Sequence, residues 1–286
     1  MPQGMMGWMI LMLMVIAVRA AAGEGEAARH LLFYGNSFTG VNDVPASIAR
    51  LAEVAGHPVP VIVRNVAGGK RMLWHLEQTQ TQPASNIEAK AIEGHRYDVV
   101  ILQGYSTEPT HVGDREAFVR HTLELAKLVR GSDAGRDATF VLYQTWARGP
   151  GNKVYPDGFA EPAQMQRELV EGYEAAAKAM AEEFGEASVV VAPVGTAFGL
   201  VGFDRQLYGD DIYHAGPVGS LLAAMVLYRT LYGGKIADLD KQALAQARTA
   251  EKHWLGLTDD QWNMVAKAAD QCDVGRPALK PTTAPN

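Results

Sequence analysis

Residues 30–37 read His30-Leu31-Leu32-Phe33-Tyr34-Gly35-Asn36-Ser37. Four apolar or aromatic side chains run without interruption into Gly-Asn-Ser. A short continuous apolar run closed by turn-forming residues is the pattern of a strand buried on both faces. Similar runs recur at 59–66, 97–102, 139–145 and 188–193. Between them, apolar residues fall at helical spacing over 45–56, 73–93 (interrupted near Pro83), 114–130, 162–184 and 216–232, and one or two further helices are expected across 238–269. Residues 147–161 are polar and rich in Gly and Pro, and read as a long surface loop. Buried strands that alternate with helices predict an α/β fold: a three-layer α/β/α sandwich with a central five-stranded parallel sheet. In such folds the working groups sit at the carboxyl ends of the strands. That directs attention to Asn36 and Ser37, Gly68 and Gly69, Gln103 and Gly104, residues 144–148, and Gly195.

Composition narrows the classes. The chain has 286 residues, 48% of them hydrophobic and 20% charged, which suits one large core rather than disorder. Its net charge is −6, with no run of basic residues, so no nucleic-acid partner is expected. The single cysteine, Cys272, excludes an internal disulfide and any metal site that needs two thiolates. Residues 5–18 are apolar apart from one Gly. Such a run is shorter than the roughly 20 residues that span a bilayer. Ala20, Ala21 and Ala22 follow it, and Ala20-x-Ala22 suits signal peptidase. The expectation is a signal peptide over 1–22, a single domain over 28–272 and a disordered tail over 276–286. The protein would then be secreted or periplasmic, with no stable membrane partner after cleavage. An uncleaved anchor is the alternative, since the leading Met-Pro-Gln-Gly carries no Lys or Arg.

Ser37, between a strand and a helix, can project its Oγ into the crevice near a helix N-terminus; equally, Ser37 or Thr39 can simply cap that helix. The surrounding sequence is not G-x-S-x-G, because position 39 is Thr. The segment Asp210-Asp211-Ile212-Tyr213-His214 shifts the balance. An Asp three residues before a His can fold back onto the imidazole Nδ1–H and leave Nε2 free to take a proton from a serine. Spacing favours Asp211 over Asp210. His57, His95, His111, His121 and His253 share no such spacing with acids and read as surface or structural.

At this point the sequence resembles the SGNH/GDSL hydrolases. The likeness rests on Tyr34-Gly35-Asn36-Ser37-Phe38-Thr39, with Asn36 in place of the Asp of GDS; on Asn65-Val66-Ala67-Gly68-Gly69; and on Asp211-x-x-His214 followed by Gly216 and Gly219. The third block departs from the family's Gly-x-Asn-Asp. Here Gln103-Gly104-Tyr105-Ser106 is similar to the Gln-Gly-Glu-Ser of carbohydrate esterase branches, with Tyr105 replacing the Glu. The resemblance implies a flavodoxin-like fold and a Ser37–His214–Asp211 triad. It implies an oxyanion hole from the Ser37 amide, the Gly68 or Gly69 amide and the Gln103 side chain. It implies hydrolysis of an ester without any metal or organic cofactor. The expected substrate is a small molecule or glycan bearing a short acyl group, with O-acetyl on a carbohydrate as the leading case. Asn36, His75, Tyr105 and Trp146 are candidates to line the substrate site; His75 can equally be a supporting histidine with its bonds satisfied, Trp146-Ala147-Arg148 equally a plain loop anchor, and Tyr105 equally uninvolved. Two other classes compete with this one. One is a catalytically inactive carbohydrate-binding protein on the same fold. The other is a nucleotide-binding domain, which would need a G-x-G-x-x-G or Walker loop that Gly35-Asn36-Ser37-Phe38-Thr39-Gly40 does not supply.

Overall fold

Each apolar run forms a strand: β1 His30–Gly35, β2 Val61–Val66, β3 Val99–Leu102, β4 Thr139–Tyr143 and β5 Val189–Ala192. A computed structural model describes residues 27–88, 95–246, 257–275 and 277–278 of the chain. The strands pair in the order β2-β1-β3-β4-β5, all parallel. This is the flavodoxin-like order, and its switch point lies between β1 and β3, where a crevice opens at the carboxyl ends.

Both faces of the central strands are covered, which is why β3 is wholly apolar, whereas the edge strand β2 carries the exposed Arg64. Side chains alternate across a strand. Leu31, Phe33, Val99, Ile101, Val141 and Tyr143 therefore face one layer. That layer is built from α2 (Val44–Val54), α6 (Val194–Leu200), α7 (Pro217–Tyr232) and α9 (Asp259–Gln271). Leu32, Tyr34, Val100, Leu102, Phe140 and Leu142 face the other. There they meet α3 (Met72–Thr81), α4 (Arg115–Gly131) and α5 (Pro162–Phe184). Helix α7 is buried on nearly every side, from Val218 to Leu231. Its one cation, Arg229, is satisfied internally by the carbonyls of Ala269 and Cys272 and by Asp270.

The helical stretch expected over 73–93, with its interruption near Pro83, appears as α3 ending at Thr81 and a separate wide turn over Ala84–Glu88; residues 89–93 lie outside the described residues. Two differences from the sequence reading stand out. Helix α6 was not expected, because Val194–Leu200 is short and holds two glycines. Burial of Val194, Ala197 and Phe198 overrides that low propensity. Residues 147–161 carry no helix or strand, as expected, yet Ala147, Asn152 and Phe159 are buried. The one or two helices expected across 238–269 appear as α8 (Lys241–Gln246) and α9, with 247–256 outside the described residues. The expected signal segment and most of the tail also lie outside them. Within the tail, Ala278 donates its N–H to the Thr230 carbonyl at 2.9 Å. No described helix is long and apolar enough to cross a membrane.

Candidate active site

Ser37 opens the four-residue helix α1 (Ser37–Gly40) directly after β1. Its position is fixed by its neighbours. The Oδ1 of Asn36 accepts the Phe38 N–H at 3.1 Å and so caps the helix. The Nδ2 of Asn36 donates to the carbonyls of Lys70 (3.1 Å) and Gly104 (3.3 Å). Asn36 thereby ties the loops after β2 and β3 to the start of α1. Gly35 permits this crowding: a Cβ there would sit 2.4 Å from Thr39 Oγ1 and 2.9 Å from Gln103 Oε1.

His214 reaches the serine from the loop before α7. Its Nε2 lies 2.8 Å from Ser37 Oγ, and its Nδ1 lies 2.6 Å from Asp211 Oδ2. The other Asp211 oxygen accepts the backbone N–H of Tyr213 (3.0 Å) and of His214 (2.9 Å). Partial burial alone would raise the Asp211 pKa. The hydrogen bonds from His214 and Tyr213 outweigh it and hold the carboxyl below its usual range. A carboxylate on Nδ1 fixes the tautomer in which Nε2 can accept the serine proton. Asp210 points away, fully exposed, with Arg205 3.9 Å from it.

The Asp211–His214 loop is strained and held from outside. Ile212 has φ +54°, a conformation that β-branched residues avoid. The segment after β4 anchors it. Asn152 donates to the carbonyls of Asp211 (3.3 Å) and Ile212 (3.2 Å), and Gly149 N–H also donates to Ile212 (3.0 Å). Trp146 Nε1–H donates to Tyr213 at 3.2 Å.

Gly68 and Gly69 form the exposed turn after β2, with Gly69 at φ +71°. The turn is pinned on both sides next to Ser37: Ala67 N–H donates to Gly35 (3.0 Å), and the Lys70 carbonyl accepts from Asn36. Among the described residues, no acceptor meets the N–H of Ser37, Gly68 or Gly69. Three amides are therefore left without an acceptor, one on the serine turn and two on the loop pinned to it.

Gln103 requires a correction. Its Oε1 accepts Asn36 N–H (2.9 Å) and Thr39 Oγ1–H (2.9 Å), so the amide orientation is set by a backbone donor. Its Nε2 donates to Asn36 Oδ1 (3.0 Å) and the Gly104 carbonyl. Both amide hydrogens are spent and the residue is buried, so Gln103 organises the serine turn rather than meeting an oxyanion. Three residues expected to line the substrate site are buried supports instead. Asn36 is committed as described. Trp146 is sandwiched between Phe38 (4.2 Å) and Phe198 (4.7 Å). His75 donates Nε2–H to the Gly35 carbonyl at 3.0 Å, and burial lowers its pKa to about 4. Tyr105 alone of the four stays partly exposed, with the Arg71 guanidinium over its ring.

Two supporting residues escaped the sequence reading. Asn152 sits in the stretch taken for surface loop. Glu108 is the only charged residue in 103–110, and that isolation was the available signal. Its buried carboxylate accepts Met72 N–H at the start of α3 (3.1 Å) and Tyr105 N–H (2.8 Å). Burial raises its pKa, opposed by those two bonds and by Arg71. Among the described residues, no group of three or more His, Cys, Asp or Glu side chains is placed to hold a metal.

Solved structures share this arrangement of strands and helices. A candidate SGNH hydrolase from Slackia heliotrinireducens is 27% identical, with a TM-score of 0.56 over 71% of this chain and 98% of that one. The chain belongs to the SGNH/GDSL superfamily. Two structures of lower sequence identity share the fold. A DUF4886 family protein from Bacteroides uniformis ATCC 8492 is 19% identical, with a TM-score of 0.63 over 85% and 94% of the two chains. A GDSL-like lipase candidate from Parabacteroides merdae ATCC 43184 is 15% identical, with a TM-score of 0.52 over 71% and 95%. No protein-family model matches the chain, and no curated protein does. As an SGNH-type chain it departs from the family pattern at Asn36 and Gln103, and the two departures are bonded to each other.

Proposed function

We propose that this SGNH-type chain is an exported serine esterase that removes a short acyl group, with O-acetyl on a carbohydrate as the leading substrate. The observation that supports it is the unbroken relay from Ser37 Oγ through His214 to Asp211, with contacts of 2.8 and 2.6 Å. Ser37 Oγ attacks the ester carbonyl carbon while His214 Nε2 takes its proton. The carbonyl oxygen gains negative charge beside the open amides of Ser37 and of Gly68 or Gly69. The tetrahedral species collapses, and the alcohol leaves with the proton held by His214. Water then attacks the acyl-serine with His214 again as base; the acid departs and Ser37 is restored. Each oxyanion donor is worth about 10²- to 10³-fold in rate. Two such donors, rather than three, carry the charge in this reading.

The test is hydrolysis of p-nitrophenyl acetate and butyrate by the mature chain beside Ser37→Ala. Turnover should fall at least about 10³-fold in the variant, with acetate preferred over butyrate. If the two proteins are equally inert on these esters and on acetylated xylan, the esterase reading is lost. The inactive carbohydrate-binding alternative would then be tested by glycan binding. Expression of the whole chain with N-terminal sequencing of the exported product checks cleavage near Ala20–Ala22.

A further inference from the structure

Arg148 follows Trp146 by two residues, and its guanidinium lies 4.6 Å from the centre of the Tyr213 ring. Tyr213 in turn packs against the His214 ring at 4.4 Å. The hydrogen bond from Trp146 to the Tyr213 carbonyl fixes this stack relative to the triad. Arg148 is half-buried, and its Nε is shielded from water without a hydrogen-bond partner. No carboxylate among the described residues lies within ion-pair distance of it. Arg96 and Arg115 behave differently: each meets a carboxylate. Desolvating a cation is costly unless an anion compensates, and one aromatic face offsets only part of that cost. Asp211, the acid of the triad, is committed to His214.

The opposite rim adds charge of the same sign. Arg71 lies over Tyr105 and Lys70 over Trp74, on the loop that carries Gly68 and Gly69. The Tyr105 and Tyr213 phenols are neighbours, so the two cation-bearing rings stand side by side at the crevice. A chain of net charge −6 thus presents Arg148, Arg71 and Lys70 around its serine. A planar guanidinium suits a bidentate oxyanion, and aromatic rings suit the body of the group that carries it.

We infer that the crevice selects esters whose body carries an oxyanionic group such as a carboxylate, and that Arg148 is the residue that determines this selectivity. The turnover part of this inference rests on the esterase reading; the binding part does not.

The test uses a matched pair, 3-acetoxybenzoate and its neutral amide, 3-acetoxybenzamide. Wild type should hydrolyse the benzoate with kcat/KM at least about tenfold above the amide, the difference residing mainly in KM. Arg148→Met should bring that ratio near one, and Arg148→Lys should retain part of it. A merely structural role for Arg148 would lower both substrates together and leave the ratio unchanged. Binding is measured separately by calorimetry on Ser37→Ala, which cannot turn over. The benzoate should bind at least about tenfold tighter than the amide, and Ser37→Ala/Arg148→Met should lose the difference. Turnover of both esters with no preference would overturn the anion inference while leaving the esterase reading intact. Absence of turnover with binding discrimination retained would do the reverse. Equal binding of both compounds to Ser37→Ala overturns the inference whatever the turnover.

Discussion

At the scale of single residues, Asn36 shows why a family motif can change one letter without losing its geometry. The side-chain oxygen caps α1, a task Asp performs equally well. The nitrogen does what Asp cannot, donating to the Lys70 and Gly104 carbonyls. In Asn36→Asp a carboxylate oxygen would face those two carbonyl oxygens in a buried site. The gain from placing a negative charge at a helix N-terminus is about 0.3–1 kcal/mol. The two lost hydrogen bonds, with a carboxylate set against two carbonyl oxygens in their place, cost about 2–4 kcal/mol, although the Gly104 carbonyl keeps its bond from Gln103 Nε2. The loss wins. The variant should be less stable by roughly 1–3 kcal/mol in urea unfolding, and ester turnover should fall because both loops beside Ser37 are released. A variant as stable and active as the wild type would refute the donor role. Gln103 makes a related point. Its residue type made an oxyanion donor reasonable, but which way an amide donates is decided by tertiary partners such as the Asn36 N–H, and these are not written in the local sequence.

At the scale of elements, the strands were legible and the supports were not. Runs such as Val99–Leu102 announce themselves because both faces of a parallel sheet are buried. The Ser37–His214–Asp211 contact was also anticipated, since the three residues lie at strand ends or in a loop of fixed spacing. Residues 147–161 were misread in part. Polar, Gly- and Pro-rich sequence describes irregular backbone but does not say what that backbone holds. Here it holds the loop that presents His214. Asn152→Ala removes both side-chain bonds to the Asp211 and Ile212 carbonyls. The strained φ of Ile212 then loses two of its restraints. The expected result is a fall in stability of about 1–2 kcal/mol and a several-fold fall in kcat, with KM little changed, because the histidine is displaced and the substrate-binding groups are not. A change confined to KM would instead place Asn152 in substrate contact. The same comparison with Trp146→Phe, which keeps the aromatic sandwich and deletes the bond to Tyr213, separates the packing of that ring from its hydrogen bond.

At the scale of the whole molecule, the order β2-β1-β3-β4-β5 puts Ser37 at the switch point, and the core beneath it must accept polar groups that reach in from the site. His75 is the plainest of these. It is 2% exposed, donates to the Gly35 carbonyl beneath the serine turn, and stacks edge-on to Tyr34 and Trp74. Burial lowers its pKa to about 4, only partly offset by the bond to Gly35. In the unfolded chain the same imidazole takes up a proton near 6.5. Between those values the unfolded state binds more protons than the folded state, so stability rises with pH through this window and is fully present above about 6.5. Acidification from pH 7 to pH 5 should therefore cost the wild type about 2 kcal/mol through this one residue, at about 1.4 kcal/mol per unit below 6.5. His75→Gln keeps a donor for Gly35 and removes the titration. It should begin less stable at pH 7, because the ring's packing is lost, and should fall less between pH 7 and pH 5. The measurement is the urea midpoint of both proteins at the two pH values. The other histidines and carboxylates are common to both, so the difference in slope belongs to His75. Parallel losses in the two proteins would mean that the ring is hydrated or charged in the native state. The floor of the serine turn would then be a polar, water-accessible layer rather than part of the sealed core.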